Sequence, residues 1–222
     1  MPFTNRPSIQ LLQKKLLTCG VKTLSDAELL AIFIQNNTKN KTAIDLALSL
    51  LYHFGGIRNI FDAPAIELCN LAGIGKAKYI KLQAILEISQ RYLEEQLINT
   101  NVISNPEAAV IYLTAKLRGH KREIFACLLL NNQNRVIHYT ELFYGTINNI
   151  AIYPREIVKI GLQYNASGII FAHNHPTGTP TPSPQDQHLT NVLIKILHPL
   201  DIKVLDHIII GNNSYVSLIK NH

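Results

Sequence analysis

Near residue 100 the spacing of apolar side chains changes, and this limits the chain to two architectures in series. In the first hundred residues apolar positions recur every three or four residues, the period of a helix with one buried face. Ser25-Asp26-Ala27-Glu28 has the form of a capping box, in which the Ser oxygen and the Glu carboxylate satisfy reciprocal backbone donors at a helix start. Leu29, Leu30, Ile32 and Phe33 follow it. Ala43, Leu46, Ala47, Leu50 and Leu51 form a second stripe, closed by Gly55-Gly56. A short helix is expected from Ala63 to Leu68 and a long one from Lys76 to Gln96. The polar stretch 96–106, with Asn99, Thr100, Asn101, Ser104 and Asn105, is the expected linker.

Beyond it the pattern shortens. Ile124 to Leu130 and Arg135 to Phe143 read as strands around the polar turn Asn131-Asn132-Gln133-Asn134. A helix opens at Pro154 and runs through Tyr164. Gly168 to His175 reads as a buried strand and Ser183 to Leu197 as a helix. Val204 to Ile210 and Tyr215 to Ile219 close as strands around Gly211-Asn212-Asn213. The expected fold is an all-α region over 1–100, then an α/β domain with a mixed sheet over 101–222.

Composition excludes several classes. With 222 residues, 47% apolar and 16% charged, the chain can bury a core without disulfides and is not a disordered polymer. No apolar run reaches the roughly 18–20 residues that span a bilayer, and the start, Met1 to Arg6, lacks the apolar stretch of a signal peptide. Cys19, Cys69 and Cys127 are odd in number and far apart, which predicts reduced thiols in a cytoplasm rather than a disulfide frame or a cysteine zinc site. The net charge of +6 divides evenly, +3 on residues 1–100 and +3 on 101–222, so neither part is a basic module. A nucleic-acid partner must rest on a local feature.

One such feature is Leu71-Ala72-Gly73-Ile74-Gly75-Lys76-Ala77-Lys78, which resembles the turn of a helix-hairpin-helix. Gly73 and Gly75 permit close backbone approach, and the next helix would start with free N–H groups suited to a phosphate oxygen. Lys76, Lys78 and Lys81 add charge, and no Asp or Glu occurs from 68 through 86. Such a turn would hold the DNA backbone without reading bases. The alternative is a tight turn between packed helices with solvated lysines.

The sharpest chemistry lies between Ala172 and Asp186. His173 and His175 are two apart on an expected strand, so both rings project to one face and can ligate one metal. A proline-rich loop, Pro176 to Pro182, leads to Ser183, and Asp186 follows within reach of the same ion. Two His and one Asp leave a tetrahedral position open for water, as a catalytic zinc site requires. Each part has a plainer reading. Paired histidines on a strand are often ordinary residues, and Ser183-Pro184-Gln185-Asp186 is a good helix start with Ser at the cap. Capping and metal binding can coexist.

The run H-x-H-x7-S-x2-D resembles the JAMM signature of MPN-type zinc metallopeptidases. The wider wording is similar to the bacterial RadC family: Asn165-Ala166 through Ile170, Ala172-His173-Asn174-His175-Pro176, Pro182-Ser183, Gly145-Thr146, Pro154-Arg155-Glu156 and Leu205-Asp206-His207. In the first half Leu24-Ser25-Asp26-Ala27-Glu28-Leu29-Leu30 and the Gly73–Lys78 turn match as well, so the resemblance covers nearly the whole chain. It implies a cytidine-deaminase-like JAMM domain and a glutamate base on an earlier strand. Glu123, opening the strand Ile124 to Leu130, fits best; Glu141 is the next candidate, and Glu156 belongs to a helix start. The resemblance further implies Zn2+ on His173, His175 and Asp186, with Glu123 carrying protons and Ser183 donating to the oxyanion. The reaction would be hydrolysis of a peptide or isopeptide bond in a protein or peptide substrate. The competing reading is a DNA-associated repair factor that binds non-specifically through the hairpin, with a structural or vestigial metal site.

His188, His198 and His207 are expected to be structural or solvated, with a supporting role open for His207. Asn131, Tyr153 and Thr177 depart from the usual family residues without touching the expected ligands. H-E-x-x-H, P-C-x-x-C and G-x-S-x-G patterns are absent from the sequence.

Overall fold

The computed structural model describes residues 8–35, 42–98, 100–145, 152–212 and 214–219. Expectations placed on Met1 to Arg6, Asn99, Thr146 and Asn213 lie outside the described residues. Contacts divide the chain into two units, Met1–Ser89 and Gln90–His222.

The first unit is helical: α1 (Ile9–Cys19), α2 (Asp26–Ile34), α3 (Ala43–Phe54), α4 (Ile57–Asp62), α5 (Ala65–Cys69) and the start of α6 (Lys76–Ile98). The Ser25/Glu28 capping box opens α2 as expected, and Lys15 donates to the same Glu28 carboxylate at 2.8 Å. Gly55, left-handed at φ 77°, ends α3. The short helix expected from Ala63 begins later, because Pro64 holds an extended backbone (ψ 147°) before α5. Leu12, Leu30, Leu46, Leu50, Leu68 and Leu82 form part of this unit's buried core.

The division between units falls inside α6 rather than in the polar stretch after it. The last turns of α6 belong to the second core, where Leu93 and Leu97 pack with Val102, Tyr112 and Leu113. The polar stretch is itself tied down. Val102 N donates to Asn134 O at 3.0 Å, and Asn101 Nδ2 donates to Gln133 O at 3.0 Å.

The second unit continues with α7 (Pro106–Leu117), β1 (Ile124–Leu130), β2 (Val136–Tyr144), α8 (Pro154–Gln163), β3 (Gly168–Asn174), α9 (Pro184–Leu197), β4 (Lys203–Ile210) and β5 (Tyr215–Ser217). The five strands lie in the order β2-β1-β3-β4-β5. β3 and β4 are parallel and the other pairs antiparallel, so the sheet is mixed. Alternation along the strands gives the sheet two buried faces. Ala126, Leu128, Ile170, Ala172 and Ile208 pack with α7, whereas Cys127, Leu129, Phe171 and Ile169 pack with Ile157 of α8 and Leu193 and Leu197 of α9. The result is an α/β domain of three layers. Among the described residues no helix is long and apolar enough to cross a membrane.

Since Leu113 of α7 is fully buried against the sheet, Leu113→Ala should cost about 2–5 kcal/mol. Urea unfolding of the full chain would measure it; an unchanged midpoint would show that α7 does not brace the sheet.

Candidate metal centre

Strand register brings the site together. β1 and β3 run antiparallel with Phe125 opposite His173 and Ala126 opposite Ala172. Continuing that register past the strand ends sets Glu123 level with His175, on the same face as His173. The side chains agree with the count: ligand atoms of Glu123, His173 and His175 lie within 4.8 Å of one another. Nε2 of His173 is 3.0 Å from Nε2 of His175. His173 is buried and its ring stacks on Phe125 at a centroid distance of 6.3 Å, while His175 is partly open.

The proline-rich loop delivers the fourth group. Its start is pinned by His175 N donating to Ile210 O at 2.9 Å, and Gly178 N donating to His175 O at 2.9 Å. Gly178 is left-handed at φ 90°, and a Cβ at Gly211 would collide with the Gly178 carbonyl oxygen, so both positions require glycine. The loop ends at Ser183, which caps α9 in a capping box with Asp186. Asp186 Oδ2 accepts from Ser183 N at 2.8 Å and from Ser183 Oγ at 2.6 Å. Its other oxygen, Oδ1, lies 3.3 Å from His173 Nε2, and Oδ2 is 3.9 Å from His175 Nε2. One carboxylate therefore caps the helix and faces the imidazoles at once. The position, at the carboxyl end of β3 and the N-terminus of α9, is where parallel strand pairs commonly hold ligands.

The donor set fits a divalent cation. His175 Nδ1 lies 2.9 Å from the Thr179 carbonyl oxygen, which can only accept, so the proton is on Nδ1 and Nε2 offers a lone pair. Two imidazole nitrogens with carboxylate oxygen nearby are the ligand types zinc takes in catalytic sites. Burial moves the charges as such a site needs. It holds His173 below the ordinary imidazole range, which keeps the ring neutral, although Asp186 pulls the other way. Burial also raises the Glu123 carboxyl, and Asp186 adds to this while His175 opposes it. For Asp186, burial pushes upward, but the hydrogen bonds from Ser183 pull the other way and the carboxyl lies below its ordinary range.

Residues 103–222 match the family model of the RadC-like JAB domain, and residues 3–80 match the UPF0758 N-terminal model. The chain belongs to the RadC-like JAB-domain family. It is 45% identical to a UPF0758 protein of Cellvibrio japonicus over 98% of this chain and 97% of that one. A UPF0758 protein of Photobacterium profundum is 48% identical over 98% of this chain and 95% of its own. The JAB fold is related to that of metalloproteases.

The other expected residues fall into place around this RadC-like site. Glu141 pairs with Ala126 and so lies on the α7 face of the sheet, away from the histidines, accepting from Tyr139 and Tyr144 hydroxyls at 3.2 and 3.0 Å. Glu156 is ion-paired to Arg155 at 3.2 Å on α8. His188 and His198 are exposed. His207 is fully buried, with Nε2 2.9 Å from His173 Nδ1. Burial pushes the Cys127 thiol up to about 12, which leaves it inert. Ser183 has its hydroxyl proton committed to Asp186, so donation to an oxyanion would require that bond to open.

In the helical unit, Gly73 is left-handed at φ 94° and Gly75 leaves open space, with Lys76 exposed. Lys78 Nζ, however, donates to the Gly73 carbonyl at 2.6 Å. Lys78 is thereby drawn into the turn, which favours the packing reading for that residue.

Asn174 escaped the sequence reading, although a polar residue at a buried strand position was the available signal. Its Oδ1 accepts from Ile124 N at 2.8 Å, and its Nδ2 donates to Arg122 O at 3.0 Å and His120 O at 3.2 Å. Those groups flank Glu123, so the residue between the two histidines clamps the backbone that carries the glutamate. Asn174→Ala would strip three backbone groups of their partner and should cost about 2 kcal/mol or more in thermal unfolding. A loss below about 0.5 kcal/mol would mean that water replaces the clamp.

Proposed function

We propose that this protein is a zinc-dependent hydrolase of amide bonds, a metallopeptidase or isopeptidase of the JAMM type, acting on a protein or peptide substrate. The observation that carries the reading is the convergence of a ring nitrogen from each of His173 and His175 with the Glu123 carboxylate within 4.8 Å, beside Asp186. His173, His175 and Asp186 would hold the ion. Zinc, when bound, supplies the positive charge that makes water a nucleophile near neutral pH.

The chain's own groups would do the rest. Glu123 takes a proton from the attacking water as the C–O bond forms and later delivers it to the leaving nitrogen as the C–N bond breaks. Asp186, ionised and fixed by the Ser183 cap, balances charge while it ligates. Ser183 orients Asp186 at rest; releasing its hydroxyl would allow it to donate to the developing oxyanion. Phe125, stacked on His173, keeps water from one face of that ring.

A base and a ligand answer differently to amide substitution. Glu123→Gln keeps shape but removes basicity, so zinc should stay bound while hydrolysis of a peptide-library substrate falls about 10²-fold or more. Asp186→Asn should weaken zinc binding first, and excess zinc should partly restore its activity but not that of Glu123→Gln. Hydrolysis by Glu123→Gln at the parent rate would remove Glu123 from the reaction. A parent that holds zinc but cleaves nothing in the library would favour a structural metal site.

A further inference from the structure

The metal ligand His173 ends a buried chain of polar groups that starts on α9. Thr190, 4% exposed, lies one helical turn after Asp186, and its Oγ is 2.6 Å from the Asp186 carbonyl oxygen. The same Oγ is 2.6 Å from Nδ1 of His207. His207, 0% exposed, places Nε2 2.9 Å from Nδ1 of His173. The rings of Phe125 and Phe171 meet His207 edge-on at 5.5 and 6.1 Å, so the chain runs through an apolar setting.

Counting protons gives the chain one direction. The Asp186 carbonyl can only accept, and a threonine hydroxyl has a single proton, so Thr190 spends that proton on the carbonyl. Thr190 oxygen must then accept from His207 Nδ1–H. His207 is wholly buried against the Phe125 and Phe171 rings, with its two nitrogens bonded to a hydroxyl and an imidazole rather than to a carboxylate, so the ring carries one proton, on Nδ1, and its Nε2 is a lone pair. His173 Nδ1 therefore donates to it, and the only nitrogen left without a proton on His173 is Nε2. This is the nitrogen that faces His175 Nε2 at 3.0 Å and Asp186 Oδ1 at 3.3 Å.

We propose that Thr190 and His207 are positioning residues that lock His173 in the tautomer with an unprotonated Nε2, so that the Thr190 hydroxyl sets zinc affinity without touching the ion. This rests on the metal-site reading above. His175 reaches the same state independently, through Nδ1–H donation to the Thr179 carbonyl. Two lone pairs then oppose each other across 3.0 Å, a repulsive arrangement that a cation between them converts to an attractive one. Helix α9 thus supplies the site twice: directly through the Asp186 carboxylate, and indirectly through the Asp186 carbonyl at the head of the relay.

The test uses the full-length chain. In Thr190→Val, His207 Nδ1–H loses its acceptor, and the ring gains by moving that proton to Nε2 and donating to His173. His173 Nδ1 must then accept, which places a proton on Nε2, where the ion would bind. Nitrogen-15 shifts of the zinc-free protein read each tautomer directly. Parent and Thr190→Ser should show Nδ1–H on His173, His175 and His207, whereas Thr190→Val should show Nε2–H on His173. Chelator competition should find zinc bound about 10–100-fold more weakly by Thr190→Val than by the parent, with Thr190→Ser near the parent. The proposal is overturned if Thr190→Val keeps the parent tautomer and affinity. It is equally overturned if the zinc-free parent already carries Nε2–H on His173, a measurement that needs no variant. A parent that shows the expected tautomers but binds no zinc supports the relay and overturns the metal-site reading instead.

Discussion

Everything at the candidate centre depends on the pairing of β1 with β3. The antiparallel register that sets Phe125 opposite His173 also decides which acidic residue meets the histidines. A slip of one residue would turn Glu123 to the α7 face and bring Arg122 or Ile124 to His175. The register is held by the apolar alternation of two buried faces and, at the end that matters, by Asn174. That side chain crosses to His120, Arg122 and Ile124 and leaves the glutamate between fixed backbone groups. Packing and polar satisfaction thus specify one geometry together, as expected where a half-satisfied arrangement would be costly.

Helix α9 contributes through the same economy of parts. Its capping box would be sufficient reason for Ser183 and Asp186 to be where they are. Because Asp186 uses Oδ2 for the cap, Oδ1 remains to face His173. The two readings of Ser183-Pro184-Gln185-Asp186, helix start and ligand, describe two oxygens of one carboxylate.

Much of this was legible in the sequence because it rests on local rules. Period-2 and period-3.6 patterns located the strands of the second unit and α2, α3 and α6, the motif spacing named His173, His175 and Asp186, and the family resemblance pointed to Glu123. What was not legible depends on contacts between distant segments. The boundary between units lies within α6 because Leu93 and Leu97 join the second core, which no local signal reveals. The polar stretch 96–106 looked like a linker, yet Asn101 and Val102 are bonded to the turn at 133–134. Glu141 was a reasonable second base until strand parity put it on the far face of the sheet. His207 is far from the motif in sequence and meets it only through the β3–β4 pairing, and Thr190, one turn beyond Asp186, reaches His207 through the packing of α9 on the sheet. In the helical unit, the Gly-Ile-Gly turn was recognisable, but the bond from Lys78 to Gly73 was not.

The central claim is that His173 and His175 share one cation through their Nε2 atoms, with carboxylate completing the shell. X-ray absorption at the zinc edge of the purified full-length protein tests it most directly. The expected result is about one zinc per chain, with nitrogen and oxygen neighbours at about 2.0–2.2 Å and multiple-scattering features of two imidazoles. A sulfur shell at about 2.3 Å, or a folded protein that takes up no zinc, would contradict it.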